Sequence, residues 1–168
     1  MYTRIFIIGF MGSGKTTHGK KLARKLEYRF ADMDQWIEKE TGKTVPEIFK
    51  EEGEAAFRKM ETEAIHALSK EKNIVISTGG GAPCHAENME LLKSSGLTIY
   101  LQLAPAALLS RLKNSKSERP LLAGKSEQEM LETIKEILNI REAFYSKADV
   151  IVDGLNNVDE RLESIIRR

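Results

Sequence analysis

The sequence lacks most of the devices that hold or anchor a chain without a packed core. It has one cysteine, Cys84, so no internal disulfide can form. His85 adjoins it, but His18 and His66 stand alone and no second cysteine exists, so no zinc site of ordinary ligand spacing is available. No apolar run approaches the roughly 20 residues that a membrane-spanning helix needs. The run near the N-terminus, Ile5 to Ile8, is also too short for the core of a secretory signal. A cytoplasmic protein with no membrane partner is expected. Charge of one sign is missing too: 26 basic against 25 acidic residues leave a formal +1, which argues against a nucleic-acid partner. No repeat, low-complexity stretch or Pro/Gly-rich linker interrupts the 168 residues. That length, with 41% hydrophobic and 30% charged residues, suits one domain over 1–168 with its own core.

The charge that is present is unevenly placed. Between Ala106 and Lys125 there are five bases (Arg111, Lys113, Lys116, Arg119, Lys125) and one acid, Glu118. From Asp32 to Glu63 ten acids face five bases. A small basic segment on a neutral chain suggests a local anion site, and a solvated basic loop reads equally from composition alone.

Short apolar runs alternate with longer helical periodicities. Strands are predicted at Arg4–Ile8, Arg29–Ala31, Asn73–Ser77, Thr98–Leu103 and Val150–Val152. Several are continuous β-branched runs, the pattern of parallel strands covered on both faces. Helices are predicted over Lys15–Lys25 and Glu54–Ser69, the latter with Phe57, Met60, Ala64 and Leu68 on one stripe. Thr44 to Glu47 and Ser126 to Glu129 read as capping boxes, the second opening a helix towards Ser146. Asn157 reads as the cap of a last helix. Alternating strands and helices imply a three-layer α/β fold with a mostly parallel sheet, whose ligands bind beyond the carboxyl ends of the strands.

The strongest motif is Gly9-Phe10-Met11-Gly12-Ser13-Gly14-Lys15-Thr16, which fits G-x-x-x-x-G-K-[ST] between an apolar strand and a helix. Its glycines let backbone N–H groups converge on phosphates at a helix N-terminus. Lys15 can reach the β- and γ-phosphates and Thr16 can ligate Mg²⁺. The guanine-reading motif N-K-x-D is absent, and so is an apolar strand ending in Asp-Glu. Asp32-Met33-Asp34 follows the second strand instead. On an extended segment the two carboxylates would share a face, and the pair also reads as a turn and helix cap for 35–41. Arg58 could pair with Glu54 or Glu61 on its own helix, or clamp a ligand carboxylate. Thr78-Gly79-Gly80-Gly81 follows the third strand, where glycines allow close backbone approach. Arg119-Pro120-Leu121-Leu122 lies in a loop able to close over a phosphate and exclude water. Arg141 and Tyr145 continue the stripe of Met130, Ile134 and Leu138, so Arg141 needs either an internal acid or a ligand carboxylate.

Together, in this order and spacing, the pieces resemble shikimate kinase, a family of small phosphate-loop kinases, over essentially the whole chain. The matching residues are Gly9–Thr16, Asp32-Met33-Asp34, Ile48 through Gly53-Glu54 to Phe57-Arg58, Gly79-Gly80-Gly81, Arg119-Pro120-Leu121-Leu122, and Arg141 with Tyr145. The resemblance implies a five-stranded parallel sheet of order 2-3-1-4-5. An acceptor segment would span about 32–61 and a mobile lid about 113–125. It also implies transfer of the ATP γ-phosphate to the 3-hydroxyl of shikimate, with Mg²⁺, by a monomer. By position, Gly12, Ser13, Gly14, Lys15, Thr16 and Thr17 would hold the ATP phosphates, and Arg111 and Asn157 would flank adenine. Lys15 and Arg119 would stabilise the transferring phosphoryl group. Thr16 and Asp32 would serve the metal, Asp34 would take the acceptor hydroxyl proton, and Arg58, Gly80, Gly81 and Arg141 would bind the acceptor. Where many members carry Pro-Leu-Tyr after the second arginine, this chain has Ala143-Phe144-Tyr145. Where many carry Asn-Arg, it has Asn88-Met89. Another small-molecule phosphate-loop kinase, such as a gluconate or nucleoside monophosphate kinase, and a non-catalytic ATP-binding module are the competing readings, the last disfavoured because Lys15, Asp34 and Arg119 are all present.

Overall fold

The computed structural model describes residues 2–115 and 122–167. Five strands, β1 (Arg4–Ile8), β2 (Arg29–Asp32), β3 (Ile74–Ser77), β4 (Leu97–Gln102) and β5 (Val150–Asp153), form one parallel sheet. Its order is β2-β3-β1-β4-β5, as the resemblance implies. β1 lies at the centre and shows why an unbroken apolar run is required there. Phe6 and Ile8 point into one core, Ile5 and Ile7 into the other, and all four are fully buried. Alternate side chains on a strand face opposite sides, so a strand covered twice must be apolar at every position.

One face is covered by α1 (Lys15–Leu26) and α8 (Val158–Ile166), through Leu22, Ala23, Leu162 and Ile166. The other carries α2 (Met33–Thr41), α3 (Val45–Glu51), α4 (Glu54–Leu68), α5 (Asn88–Ser95), α6 (Pro105–Lys113) and α7 (Glu127–Tyr145). Both capping boxes form, at Thr44 with Glu47 and at Ser126 with Glu129. Asn157 is the N-cap of α8, but it sits in the left-handed region at φ 49° and makes no side-chain cap bond.

The structure changes one expectation near the site. Asp32-Met33-Asp34 is not extended throughout. Asp32 ends β2 and caps α2, accepting from the N–H groups of Asp34 (3.0 Å) and Gln35 (3.2 Å). The helix therefore starts at Met33, two residues before the predicted 35–41 span, because Met33 is a core residue with no exposed surface. An aspartate two residues before free helix N–H groups is a strong N-cap, and that local bond outweighs strand continuation.

Candidate active site

The carboxyl ends of β1, β2 and β3 open onto one cavity of about 290 Å³. Met11, Lys15, Thr16, Asp32, Asp34, Ser77, Gly79 and Gly80 are among its lining residues. The phosphate loop leaves β1 at Gly9 and enters α1 at Gly14. Gly14 has φ 93°, a conformation that a residue with a Cβ adopts only under strain. No side chain caps α1 and no acid stands in its first turn. Its first N–H groups, those of Lys15, Thr16 and Thr17 among them, therefore face the cavity with the positive end of the helix behind them. Ser13 is fully buried and its Oγ has no hydrogen-bond partner among the described residues. Lys15 is folded back onto the loop, donating to the Gly9 and Phe10 carbonyls at 2.9 Å each.

Asp32 forms the helix cap that its motif suggests and also meets the phosphate loop. One oxygen caps α2, and the other accepts from the Thr16 hydroxyl at 3.0 Å. Ser77 Oγ lies 3.5 Å from the same hydroxyl. Hydroxyls and a carboxylate are hard oxygen donors, and this small set fits a cation such as Mg²⁺ that keeps water and phosphate oxygens as its other ligands. No group of three or more His, Cys, Asp or Glu that could hold a metal by itself occurs among the described residues.

Asp34, in the first turn of α2, points into the cavity. Its Oδ1 is buried and unpartnered among the described residues. Burial pushes its carboxyl above the usual range, Asp32 adds to the rise, and Lys15 opposes it.

Arg58 and Glu61 form the next wall. Arg58 bonds Glu54 across one helical turn, the surface pair expected from sequence, but it also donates to Glu61 Oε2 at 2.8 Å. Glu61 is 1% exposed. Burial raises its carboxyl to about 7, against the pull of Arg58. Sequence reading had placed Glu61 only as a surface partner. The signal was its spacing: four residues after Phe57 and three before Ala64, it continues the buried stripe of α4.

The glycine triplet fits tightly against these side chains. A Cβ on Gly79 would lie 2.8 Å from Glu61 Oε1 and 3.0 Å from Asp34 Oδ1. One on Gly81 would lie 2.8 Å from the Arg58 guanidinium carbon. Asn88, also unassigned from sequence, is 1% exposed. It accepts from Thr62 at 2.9 Å and donates to the Ala82 carbonyl at 2.9 Å, tying α4 to the 3-10 turn after the triplet.

Arg141 reaches the triplet from α7, its Nη1 3.1 Å from where a Gly80 Cβ would stand. That nitrogen is buried without a hydrogen-bond partner among the described residues. The guanidinium carbon lies 5.5 Å from the centre of the Phe10 ring. No hydrogen bond joins this nitrogen to an acid among the described residues, although the buried Glu61 carboxyl feels the charge of Arg141.

The residues expected around the nucleotide base sit at the other end of the phosphate loop. Arg111 donates to the Ser13 carbonyl at 3.1 Å and the Gly154 carbonyl at 2.9 Å, tying the loop to the turn after β5. Asn157 is exposed on that turn. Its helix is moored beside Thr17 by His18 Nδ1 and Asp159 Oδ1 at 2.6 Å. Arg119 and most of the expected lid, residues 116–121, lie outside the described residues. No described helix is long and apolar enough to cross a membrane.

A family model described as shikimate kinase matches residues 11–168. A shikimate kinase of Bacteroides thetaiotaomicron is 44% identical over 167 residues, 98% of this chain and 95% of the relative. A crystal structure of shikimate kinase from that organism superposes with a TM-score of 0.95 at 41% identity, covering both chains completely. A shikimate kinase from Acinetobacter baumannii, solved in complex with shikimate, gives 0.86 at 35% identity, over 98% of this chain and 91% of that one.

Proposed function

The chain belongs to the shikimate kinase family, and from that premise we propose how its own residues divide the work of the reaction. It transfers the γ-phosphoryl group of ATP to the 3-hydroxyl of shikimate, giving shikimate 3-phosphate and ADP. The observation that carries the division is convergence on one cavity. The uncapped helix N-terminus and Asp34, whose buried Oδ1 is unpartnered, line it, and the buried unpartnered nitrogen of Arg141 lies against Gly80 on its wall.

Gly12, Ser13, Gly14, Lys15, Thr16 and Thr17 bind the ATP phosphates, and Arg111 and Asn157 flank the base. Arg58 and Arg141 grip the acceptor carboxylate, for which planar guanidinium forks are the matching donors. Gly80 and Gly81 add backbone contacts. Asp34 accepts the proton of the attacking hydroxyl, a role favoured by a carboxyl held above its ordinary range. Lys15 swings from the Gly9 and Phe10 carbonyls to the transferring group. Arg119, outside the described residues, is the second cation assigned to that group. A Mg²⁺ ion held by Thr16 and Asp32 would neutralise and orient the phosphates. Little covalent chemistry is left to the protein, so positioning and charge carry the rate. A monomer working in the cytoplasm is part of the same proposal.

ADP release with ATP and Mg²⁺ tests the reading, with shikimate, quinate or gluconate as acceptor. Fast release is expected only with shikimate. If ATP binds and shikimate gives no stimulation, the acceptor roles of Arg58 and Arg141 are wrong, while the phosphate-loop assignment stands.

A further inference from the structure

Tyr145 is the last residue of α7, four positions after Arg141, and is fully buried. Its hydroxyl donates to the Gly80 carbonyl, 65 residues away in sequence. One face of α7 thus delivers a cation beside Gly80 and a donor onto it. Three consecutive glycines have wide conformational freedom. A loop that must present fixed backbone to a small ligand needs restraint from outside. The peptide group is planar, so fixing the Gly80 oxygen also fixes the direction of the Gly81 N–H on the other side of that bond.

Resting on the acceptor site described above, we propose that Tyr145 is a positioning residue for the acceptor, holding the Gly80–Gly81 peptide in the orientation that shikimate meets. The ring is held from behind. It lies against Tyr100 with centroids 4.9 Å apart, and the Tyr100 hydroxyl donates to Glu142 Oε2 at 2.7 Å. Burial pushes the Tyr145 phenol well above its ordinary range, so it remains a donor at every working pH. The helix reaches this position unbroken because Ala143-Phe144 precede Tyr145 where many relatives carry Pro-Leu, and both residues continue an α-helix.

Tyr145→Phe keeps the ring and removes the donor. The expected result is a roughly tenfold rise in KM for shikimate, equivalent to about 1.4 kcal/mol, with KM for ATP unchanged. Thr98→Val is the structural control: it also loses one buried hydroxyl, bonded to Asp149 at the start of β4, and should lower the thermal midpoint while leaving KM for shikimate alone. If Tyr145→Phe behaves like Thr98→Val, or raises KM for both substrates equally, Tyr145 is a packing residue and the inference fails. Arg141→Lys separates this from failure of the site itself. A raised shikimate KM in Arg141→Lys but not in Tyr145→Phe overturns the positioning role alone. An unchanged shikimate KM in Arg141→Lys overturns the acceptor site, and this inference with it.

Discussion

Replacing Glu61 by glutamine separates charge from shape in the wall beneath the glycine triplet. Burial lifts this carboxyl from 4.5 to about 7 despite the Arg58 guanidinium 2.8 Å away. Between those two pH values the folded protein holds a proton that the unfolded chain has released. The folded state then binds more protons, so stability falls as pH rises through the window. Each unit of displacement is worth about 1.4 kcal/mol, so roughly 3 kcal/mol is lost across it. Glutamine keeps the shape and an acceptor for Arg58, and has no proton to lose.

Urea denaturation of both proteins at a series of pH values from about 5 to 8 isolates this residue, because other titrating groups are common to both. The two should be nearly equally stable at the acid end. The variant should be more stable by about 3 kcal/mol at the alkaline end. A stability difference that does not change with pH would refute the reasoning. Activity should move the opposite way. Above about pH 7, where Glu61 is ionised in the parent, Arg58 loses the buried anion that aims its guanidinium at Gly81, so KM for shikimate should rise there in the more stable protein. Stability gained at the expense of a site is the usual trade when a strained functional group is neutralised.

Asp34→Asn should leave ATP binding intact and cut turnover by roughly two to four orders of magnitude, the contribution typical of a positioned base. It should also abolish the acid limb of the pH–rate profile, which in the parent lies above the ordinary aspartate range because the folded pKa is raised. Calorimetric titration with ATP and steady-state assays check both, and near-normal turnover removes Asp34 as the base. Gly79→Ala should reduce kcat/KM by roughly a hundredfold with the fold retained by circular dichroism, since its Cβ would press on Glu61 Oε1 and Asp34 Oδ1. Ser126→Ala removes the N-cap of α7 and should lower stability by about 1 kcal/mol in urea without altering either KM.

The parts legible in sequence were those whose cause is local. β1 was readable because a twice-covered strand must be apolar throughout, and α3 and α7 because their capping boxes sit within four residues. The phosphate loop was readable because its glycines and Lys15 are contiguous. Helices α5 and α6 had no such marker: neither has a side-chain cap bond, and α6 opens on Ala104 and Pro105. Asp32 was ambiguous because its two oxygens do different jobs, one capping α2 and one meeting Thr16. Glu61 and Asn88 were missed as site residues because their roles depend on segments more than fifteen residues away in the chain, the triplet for Glu61 and Thr62 for the buried amide. Only packing reveals that these polar groups face inward.

The two side chains proposed to meet the acceptor hydroxyl and carboxylate each keep an unsatisfied buried atom. Asp34 Oδ1 and Arg141 Nη1 are buried without hydrogen-bond partners among the described residues, while the surrounding polar groups are tied down: Glu61 to Arg58, Asn88 to Thr62 and Ala82, Tyr145 to Gly80. An unmade buried hydrogen bond costs about 1–3 kcal/mol, more when the group is charged. On the proposed roles, two such groups bordering the same glycine triplet favour a molecule that carries both a hydroxyl for Asp34 and an anion for Arg141. A molecule with only one leaves the other group buried and unpaired. Discrimination by unpaired polar groups is far steeper than discrimination by apolar fit, which suits an enzyme whose acceptor is a small polyol with a single carboxylate. The tied-down neighbours then have a definite purpose: they keep the two groups from being satisfied from within.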